Sequence, residues 1–492
     1  MSLPTVVSAP GKVLVAGGYL VLDPAYSGIV VSTSSRFYTV IQRSSSAGEI
    51  QVRSPQFNAA TWKYATAFDP TALVQAHPQN TSKNKFVHLA LQNTIFLACE
   101  VKGVQAVKEA LSQGLDIAIV GDNDFYSQRA QLAALGLSRT LESLASIKPF
   151  CPQGVSLSDV HKTGLGSSAA LITSLVSGLL LHLGVIPPIA LSEDQSEGRR
   201  LAHNLSQFIH CLAQGKVGSG FDVSAAVFGS HLYTRFDPSV LHDLMRDDVT
   251  HPASILSVVS PTNRAWNYNI QPFQLPPLTR LMLADVDAGS DTPSLVGKVL
   301  AWRKEKSEEA NAIWTTIDQL NQSLASTLLK LSSLHAEDPE SYGKAVRWIT
   351  SLQPVQWTAD PSVVEEWPAT SVFYEAHRIS QSIRAYMRKM GAAAGVPIEP
   401  PEQTKLLDAC VSIAGVIGGG VPGAGGYDAV WLLVCEPSDS QPDRFPRDRI
   451  EHVWSNYKDL SVSPLLAVES MAKGARAENI NEIKGLREAI AL

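Results

Sequence analysis

The chain opens on short apolar runs separated by turn residues. Thr5-Val6-Val7, Lys12-Val13-Leu14-Val15-Ala16, Gly28-Ile29-Val30-Val31-Ser32 and Phe37-Tyr38-Thr39-Val40-Ile41 are rich in β-branched and aromatic residues and predict a strand-rich start. Residues 44–84 are polar, punctuated by Pro55, Pro70 and Pro78, and predict strands joined by surface loops. The period turns helical over 86–111, a strand is predicted at 115–120, and helices are predicted over 169–183 and 192–213, the latter from Leu201, Leu205, Phe208, Ile209 and Leu212. Pro252, Pro261, Pro272, Pro276 and Pro277 weaken the periodicity between His242 and Pro277, and a domain boundary is placed there, giving domains 1–255 and 256–492. Beyond it come a strand at 281–286, a long helical stretch over 294–334 broken at most once, a loop at 354–368, a helix over 372–394 and a buried strand at 429–434. The residues after Glu436 read as polar loop plus helices. The class is α+β, and no repeat of fixed period is present.

Composition narrows the function classes. With 45% apolar and 17% charged residues the chain is not of the disordered class, and its 492 residues allow a sizeable core. Forty basic against forty-six acidic residues give a net charge of −6 with no run of five like charges, which argues against nucleic-acid or membrane-surface partners. An anionic ligand therefore needs a local basic pocket. Cys99, Cys151, Cys211, Cys410 and Cys435 lie far apart and read as reduced thiols. The apolar stretch Ala169 to Leu191 is broken by Ser174, Ser177, His182 and Gly184. Its helical part of about 16 residues, ~24 Å, is short of a ~30 Å hydrocarbon core. No signal-peptide pattern opens the chain, so a cytoplasmic protein is expected.

Four segments carry candidate chemistry. In Lys162-Thr163-Gly164-Leu165-Gly166-Ser167-Ser168-Ala169-Ala170, two glycines and two serines precede an apolar helix. The unpaired N–H groups and dipole of such a helix start favour an anion, although a plain Gly-Ser cap has the same sequence. A Walker A loop is absent, since none of the four Gly-Lys pairs is followed by Ser or Thr. A dinucleotide fold is disfavoured because Ser158-Asp159-Val160-His161-Lys162 is not a buried strand. Ala9-Pro10-Gly11-Lys12-Val13, followed by Gly17-Gly18-Tyr19, reads as a turn presenting Lys12 at a strand start. In Gln214-Gly215-Lys216-Val217-Gly218-Ser219-Gly220-Phe221-Asp222, three glycines in six residues precede a carboxylate, which could point into a site or simply cap a helix. Gly418 to Gly426 holds six glycines in nine residues, a density that signals close backbone approach to a ligand or another segment.

Taken in their order along the chain, from Ala9-Pro10-Gly11-Lys12-Val13 to the glycine cluster, the four segments resemble the GHMP kinase superfamily and, within it, the eukaryotic and especially fungal phosphomevalonate kinases. The resemblance spans Ala9 to about Val434. It implies a two-domain GHMP kinase fold, with an N-terminal ATP-binding half similar to the second domain of ribosomal protein S5 and a ferredoxin-like C-terminal half. It further implies transfer of the ATP γ-phosphoryl group to 5-phosphomevalonate in isoprenoid and sterol synthesis. ATP would lie along Lys162, Gly164, Leu165, Gly166, Ser167, Ser168 and Ala169, with Ser168 at the position that binds Mg²⁺ in related kinases. Lys12, Asp222 and Lys216 are the candidate catalytic residues. Gly18, Tyr19, Ser219, Gly423, Ala424 and Gly425 are candidates for binding the acceptor. The helix start at Asp287 to Ser294 adds Ser290 and Thr292 as candidate phosphate ligands, or is a plain capped helix. Two departures stand out. His210 occupies the place where mevalonate kinases carry a magnesium-binding Glu, and Gly17-Gly18-Tyr19 replaces their G-E-H, which speaks against mevalonate as acceptor. Small molecules are the expected partners, as a monomer or homodimer; a neighbouring metabolite kinase and a nucleotide-binding sensor are the alternatives.

Overall fold

The computed structural model describes residues 3–44, 46–69, 72–80, 82–245, 254–286, 292–438 and 445–491, with the side chains of residues 292 and 293 left aside. Two sheets organise them. The first contains β1 (Thr5–Ala16), β2 (Ser27–Arg43), β3 (Glu49–Arg53), β4 (Thr61–Ala67), β5 (Leu73–Ala76), β6 (Leu115–Gly121), β7 (His231–Thr234) and β8 (Asn269–Pro272). The second contains β9 (Thr279–Val286), β10 (Val416–Gly420), β11 (Ala429–Cys435) and β12 (Val462–Leu465), in the antiparallel order β10-β11-β9-β12. A last short strand, β13 (Arg476–Ala477), pairs with β1 and so joins the first sheet. The boundary expected at 255/256 thus precedes two strands, β8 and β13, that belong to that sheet.

The opening differs from its prediction in a way that matters for the site. The four apolar runs form two long strands, not four short ones, and Pro10-Gly11 is no turn. β1 and β2 pair antiparallel, with register shifts between Pro10 and Lys12 and between Leu14 and Ala16. A bulge tolerates proline, bends the strand and frees a backbone donor. Here the freed N–H of Lys12 donates to Leu165 O at 2.9 Å, crossing to the glycine-serine loop. Gly11 is required by that approach, because a Cβ there would lie 2.9 Å from Leu165 O and 2.8 Å from Thr33 Oγ1. In β2 the polar Arg36 is accommodated because its Nε donates to Ser8 Oγ at 2.7 Å.

Helix Ser167–His182 packs on β1 and β2, and helices Lys85–Lys102 and Glu197–Gln214 pack against it in turn, within one large apolar core. The Ser167–His182 helix is buried almost throughout, which explains its uniformly apolar sequence. No described helix is long and apolar enough to cross a membrane. The 294–334 stretch forms helices Thr292–Glu305 and Ser307–Glu337, broken once at Lys306, and the latter packs against helix Ala369–Ala394. The 354–368 loop contains a short helix, Pro361–Glu366. Half of the glycine cluster is strand, not loop: Gly418, Gly419 and Gly420 lie in β10. Helix Ala369–Ala394 presses so close that a Cβ on Gly418 would meet Ser380 Oγ at 2.4 Å.

Candidate active site

A cleft of about 490 Å³ is lined by the Lys12 end of the β1 bulge, the glycine-serine loop, the loop before Asp222 and the loop 421–429. The first of these is held by the second: Lys12 Nζ donates to Gly164 O at 2.9 Å. Its aliphatic stem lies on Gly166, where a Cβ would come within 3.0 Å of Lys12 Cε, and its ammonium stands 5.4 Å from the centroid of the Phe221 ring. Burial pushes the Lys12 ammonium below the ordinary lysine range, opposed by the charges of Asp222 and then Asp428. Lys12 thus joins the glycine-serine loop, through the Gly164 carbonyl, to the part of the cleft that carries Asp222 and Asp428.

The glycine-serine loop ends in a helix start. Gly166 is left-handed (φ 77°) and caps the helix that begins at Ser167. The first N–H groups of that helix have no intrahelical partners. Gly164, Gly166, Ser167 and Ser168 line the cleft, and Lys162 stands exposed at its rim. Two residues of the same run do not reach it with their side chains. Leu165 is buried and contributes only its carbonyl, and Ala169 packs with Val223 and Val227 in the core.

Asp222 sits in the first turn of helix Phe221–Phe228, after the left-handed Gly220. Its carboxylate stands 3.8 Å from His210 Nε2, which also lies 3.1 Å from Ser168 Oγ and 3.2 Å from Gln214 Nε2. His210 thus links the glycine-serine loop to the Asp222 loop. Ser219 lines the cleft, as does Lys216, which is exposed.

Opposite them, Gly18, Tyr19, Gly423, Ala424 and Gly425 also line the cleft. The Tyr19 ring is buried and its hydroxyl donates to Ala424 O at 2.6 Å, tying the first sheet's loop to the second's. Burial raises its phenol above the usual tyrosine range. Gly425 is left-handed (φ 80°), and a Cβ would meet Ile398 O at 2.1 Å. Ser290 lies outside the described residues, as does the Thr292 side chain.

Sequence reasoning gave no role to Asp428 or Phe221, which both border Lys12. Their signal was present only as membership of the two glycine motifs. Among the described residues no group of three His, Cys, Asp or Glu is arranged to hold a metal ion.

The fold built on these two sheets is that of the GHMP kinases. The phosphomevalonate kinase of Streptococcus pneumoniae, solved with phosphomevalonate and AMPPNP, shares the fold at a TM-score of 0.53 and 17% identity, covering 94% of this chain and 99% of that one. No family model matches the chain. The Arabidopsis thaliana protein named "Phosphomevalonate kinase, peroxisomal" is 36% identical over 489 residues, 94% of each chain. A phosphomevalonate kinase of Aspergillus fumigatus is 36% identical over 474 residues, 88% of each chain. This chain belongs to the phosphomevalonate kinase family.

Proposed function

We propose that the chain transfers the terminal phosphoryl group of ATP to the phosphate of 5-phosphomevalonate, giving 5-diphosphomevalonate and ADP. The observation that carries this reading is the placement of Lys12, between the glycine-serine loop at one side of the cleft and Asp222 at the other. The Streptococcus pneumoniae phosphomevalonate kinase solved with phosphomevalonate and AMPPNP supports the same pair of substrates.

The nucleotide phosphates lie along Gly164 to Ser168 against the helix N-terminus, with Lys162 at the rim. The acceptor lies on the side of Gly18, Tyr19, Ser219 and Gly423 to Gly425. An oxygen of the acceptor phosphate forms the new P–O bond as the bond from the γ-phosphorus to the β-bridging oxygen breaks and ADP departs. A phosphate monoester carries about −1.5 to −2 charges at pH 7, so the attacking oxygen needs little deprotonation. Asp222 therefore orients Lys12 and the acceptor more than it removes a proton. The harder task is bringing two polyanions together, which Lys12 and then Lys216 ease by placing positive charge near the transferring group.

The residues present fit Mg²⁺ in one way. Ser168 Oγ lines the cleft on the nucleotide side, and among the described residues no group of three His, Cys, Asp or Glu is arranged to hold a metal ion, which suits an ion held chiefly by phosphate oxygens and water. Bound there, the ion neutralises phosphate charge. We place the enzyme in the cytoplasm, with small-molecule partners and as a monomer or homodimer. The Arabidopsis relative's name puts that protein in peroxisomes, and fractionation of the tagged chain separates the two compartments.

The test is ADP release by the purified protein with Mg-ATP and 5-phosphomevalonate, mevalonate or no acceptor. Turnover with phosphomevalonate alone is expected. Turnover with mevalonate alone would refute the acceptor, and nucleotide binding without turnover would refute the kinase reading.

A further inference from the structure

Arg235, the residue after β7, is buried, yet among the described residues it forms no ion pair. Its guanidinium is spent on main-chain carbonyls: Nη1 donates to Leu22 O at 2.5 Å, and Nη2 donates to Val217 O at 3.0 Å and Gly218 O at 2.5 Å. Two residues earlier Tyr233, also buried, donates its hydroxyl to Ser219 O at 2.8 Å. One strand end thus holds three successive carbonyls of the loop that leads to Asp222, and ties that loop to the segment following Tyr19.

Burying a guanidinium with carboxylates, Asp23 and Asp237, only at longer range is costly, and a loop needing only to be covered could be covered by apolar side chains. The geometry shows what the cation achieves. Peptide units are planar and trans, so each captured carbonyl turns the next residue's N–H to the opposite side. The N–H of Gly218 is thereby directed to the Cys211 thiol. Those of Ser219 and Gly220 are turned away from Arg235 and Tyr233, find no acceptor among the described residues, and belong to residues that line the cleft. Gly220 is left-handed (φ 83°), and a Cβ there would stand 2.8 Å from Tyr233 Oη and 2.9 Å from Phe236 Cε1, so the loop has little room to rearrange. Successive N–H groups in such a loop form a concave anion site.

We propose that Arg235 is a positioning residue of the acceptor site: by gripping the carbonyls of Leu22, Val217 and Gly218 it aims the Ser219 and Gly220 N–H groups at the acceptor phosphate. The inference rests on the reading of the 216–222 loop as the acceptor side. Arg235 touches no substrate; it acts through the loop.

The experiment measures steady-state kinetics of the full chain carrying Arg235→Lys, Arg235→Met or Tyr233→Phe, varying 5-phosphomevalonate and Mg-ATP separately. Lysine keeps the charge, but its single head cannot serve Leu22 on one side and Val217 and Gly218 on the other. Both Arg235 variants should raise the acceptor KM by about ten-fold, and Tyr233→Phe by about three-fold, while the ATP KM stays within about two-fold. If Arg235→Met fails to fold, Arg235→Lys and Tyr233→Phe decide. An unchanged acceptor KM in folded Arg235→Lys overturns the proposal. So does an equal rise in both KM values, or a loss of rate that follows only the folded fraction. Lys12→Met and Asp222→Asn in the same assay separate the two layers. If they keep wild-type rates the reading of the site is wrong, whereas if they are inactive and Arg235→Lys has a normal acceptor KM, only the role of Arg235 falls.

Discussion

Replacing Lys12 with Met tests the site at its centre, because it removes one charge and keeps most of the stem. In the folded protein the ammonium donates to Gly164 O at 2.9 Å and is flanked by the charges of Asp222 and Asp428. Its methylenes pack against Gly166, contacts that methionine can largely reproduce. The loss should therefore be small in stability, about 1 kcal/mol or less, since one charge-assisted hydrogen bond disappears together with one desolvated cation. Catalysis loses more. A unit charge about 4 Å from a developing unit charge, at an effective dielectric of about 20, is worth about 4 kcal/mol, or about three decades in rate. The assay is coupled ADP release with saturating Mg-ATP and 5-phosphomevalonate, with a thermal melt of the same samples. A kcat within about three-fold of wild type in a folded variant would remove Lys12 from the transition state and refute the reasoning.

Gly166→Ala places a Cβ on a residue at φ 77° and within 3.0 Å of Lys12 Cε; about 1 kcal/mol of stability and about ten-fold in kcat should be lost, read by melting and steady-state rates. Tyr19→Phe leaves Ala424 O without its 2.6 Å partner, and should cost about 1 kcal/mol in denaturant melts while lowering kcat/KM for the acceptor more than for ATP. Asp122 supplies a pH test. Burial lifts its carboxyl from 3.8 to about 7, against the Arg36 N–H and with the help of the Asp124 charge. The folded state thus holds a proton that the unfolded chain releases, and the associated stability is present below about pH 4 and lost as pH rises through about 7. Asp122→Asn, which cannot ionise, should gain melting temperature relative to wild type between pH 5 and pH 8; a constant difference would contradict the sign.

Some of the site was legible because its signal is local. Gly164-Leu165-Gly166-Ser167-Ser168 could be read as an anion-type helix start because a left-handed cap and the free N–H groups behind it are decided within a few residues. The Lys306 break between the two long helices falls inside a stretch read as broken at most once. Lys12 was legible as a residue but not as a geometry. Pro10-Gly11 has the composition of a turn, and only pairing with β2 and the approach of Leu165 make it a bulge. Likewise the glycines at 418–420 signalled close approach, but not that the approaching group is Ser380 of a helix.

The sequence by itself determined the α+β class, most of the long elements and the identity of the four chemical segments, since periodicity and turn chemistry act over a few residues. Tertiary structure alone decided which of those residues meet. It set Asp428 beside Lys12, spent the Tyr19 hydroxyl on Ala424, withdrew Ala169 into the core, returned β13 to the first sheet and put Arg235 behind the Asp222 loop. These are contacts between residues tens to hundreds of positions apart. They depend on strand register, on how helices and loops pack against the sheets, and on which buried polar groups find partners, none of which leaves a periodic trace along the chain.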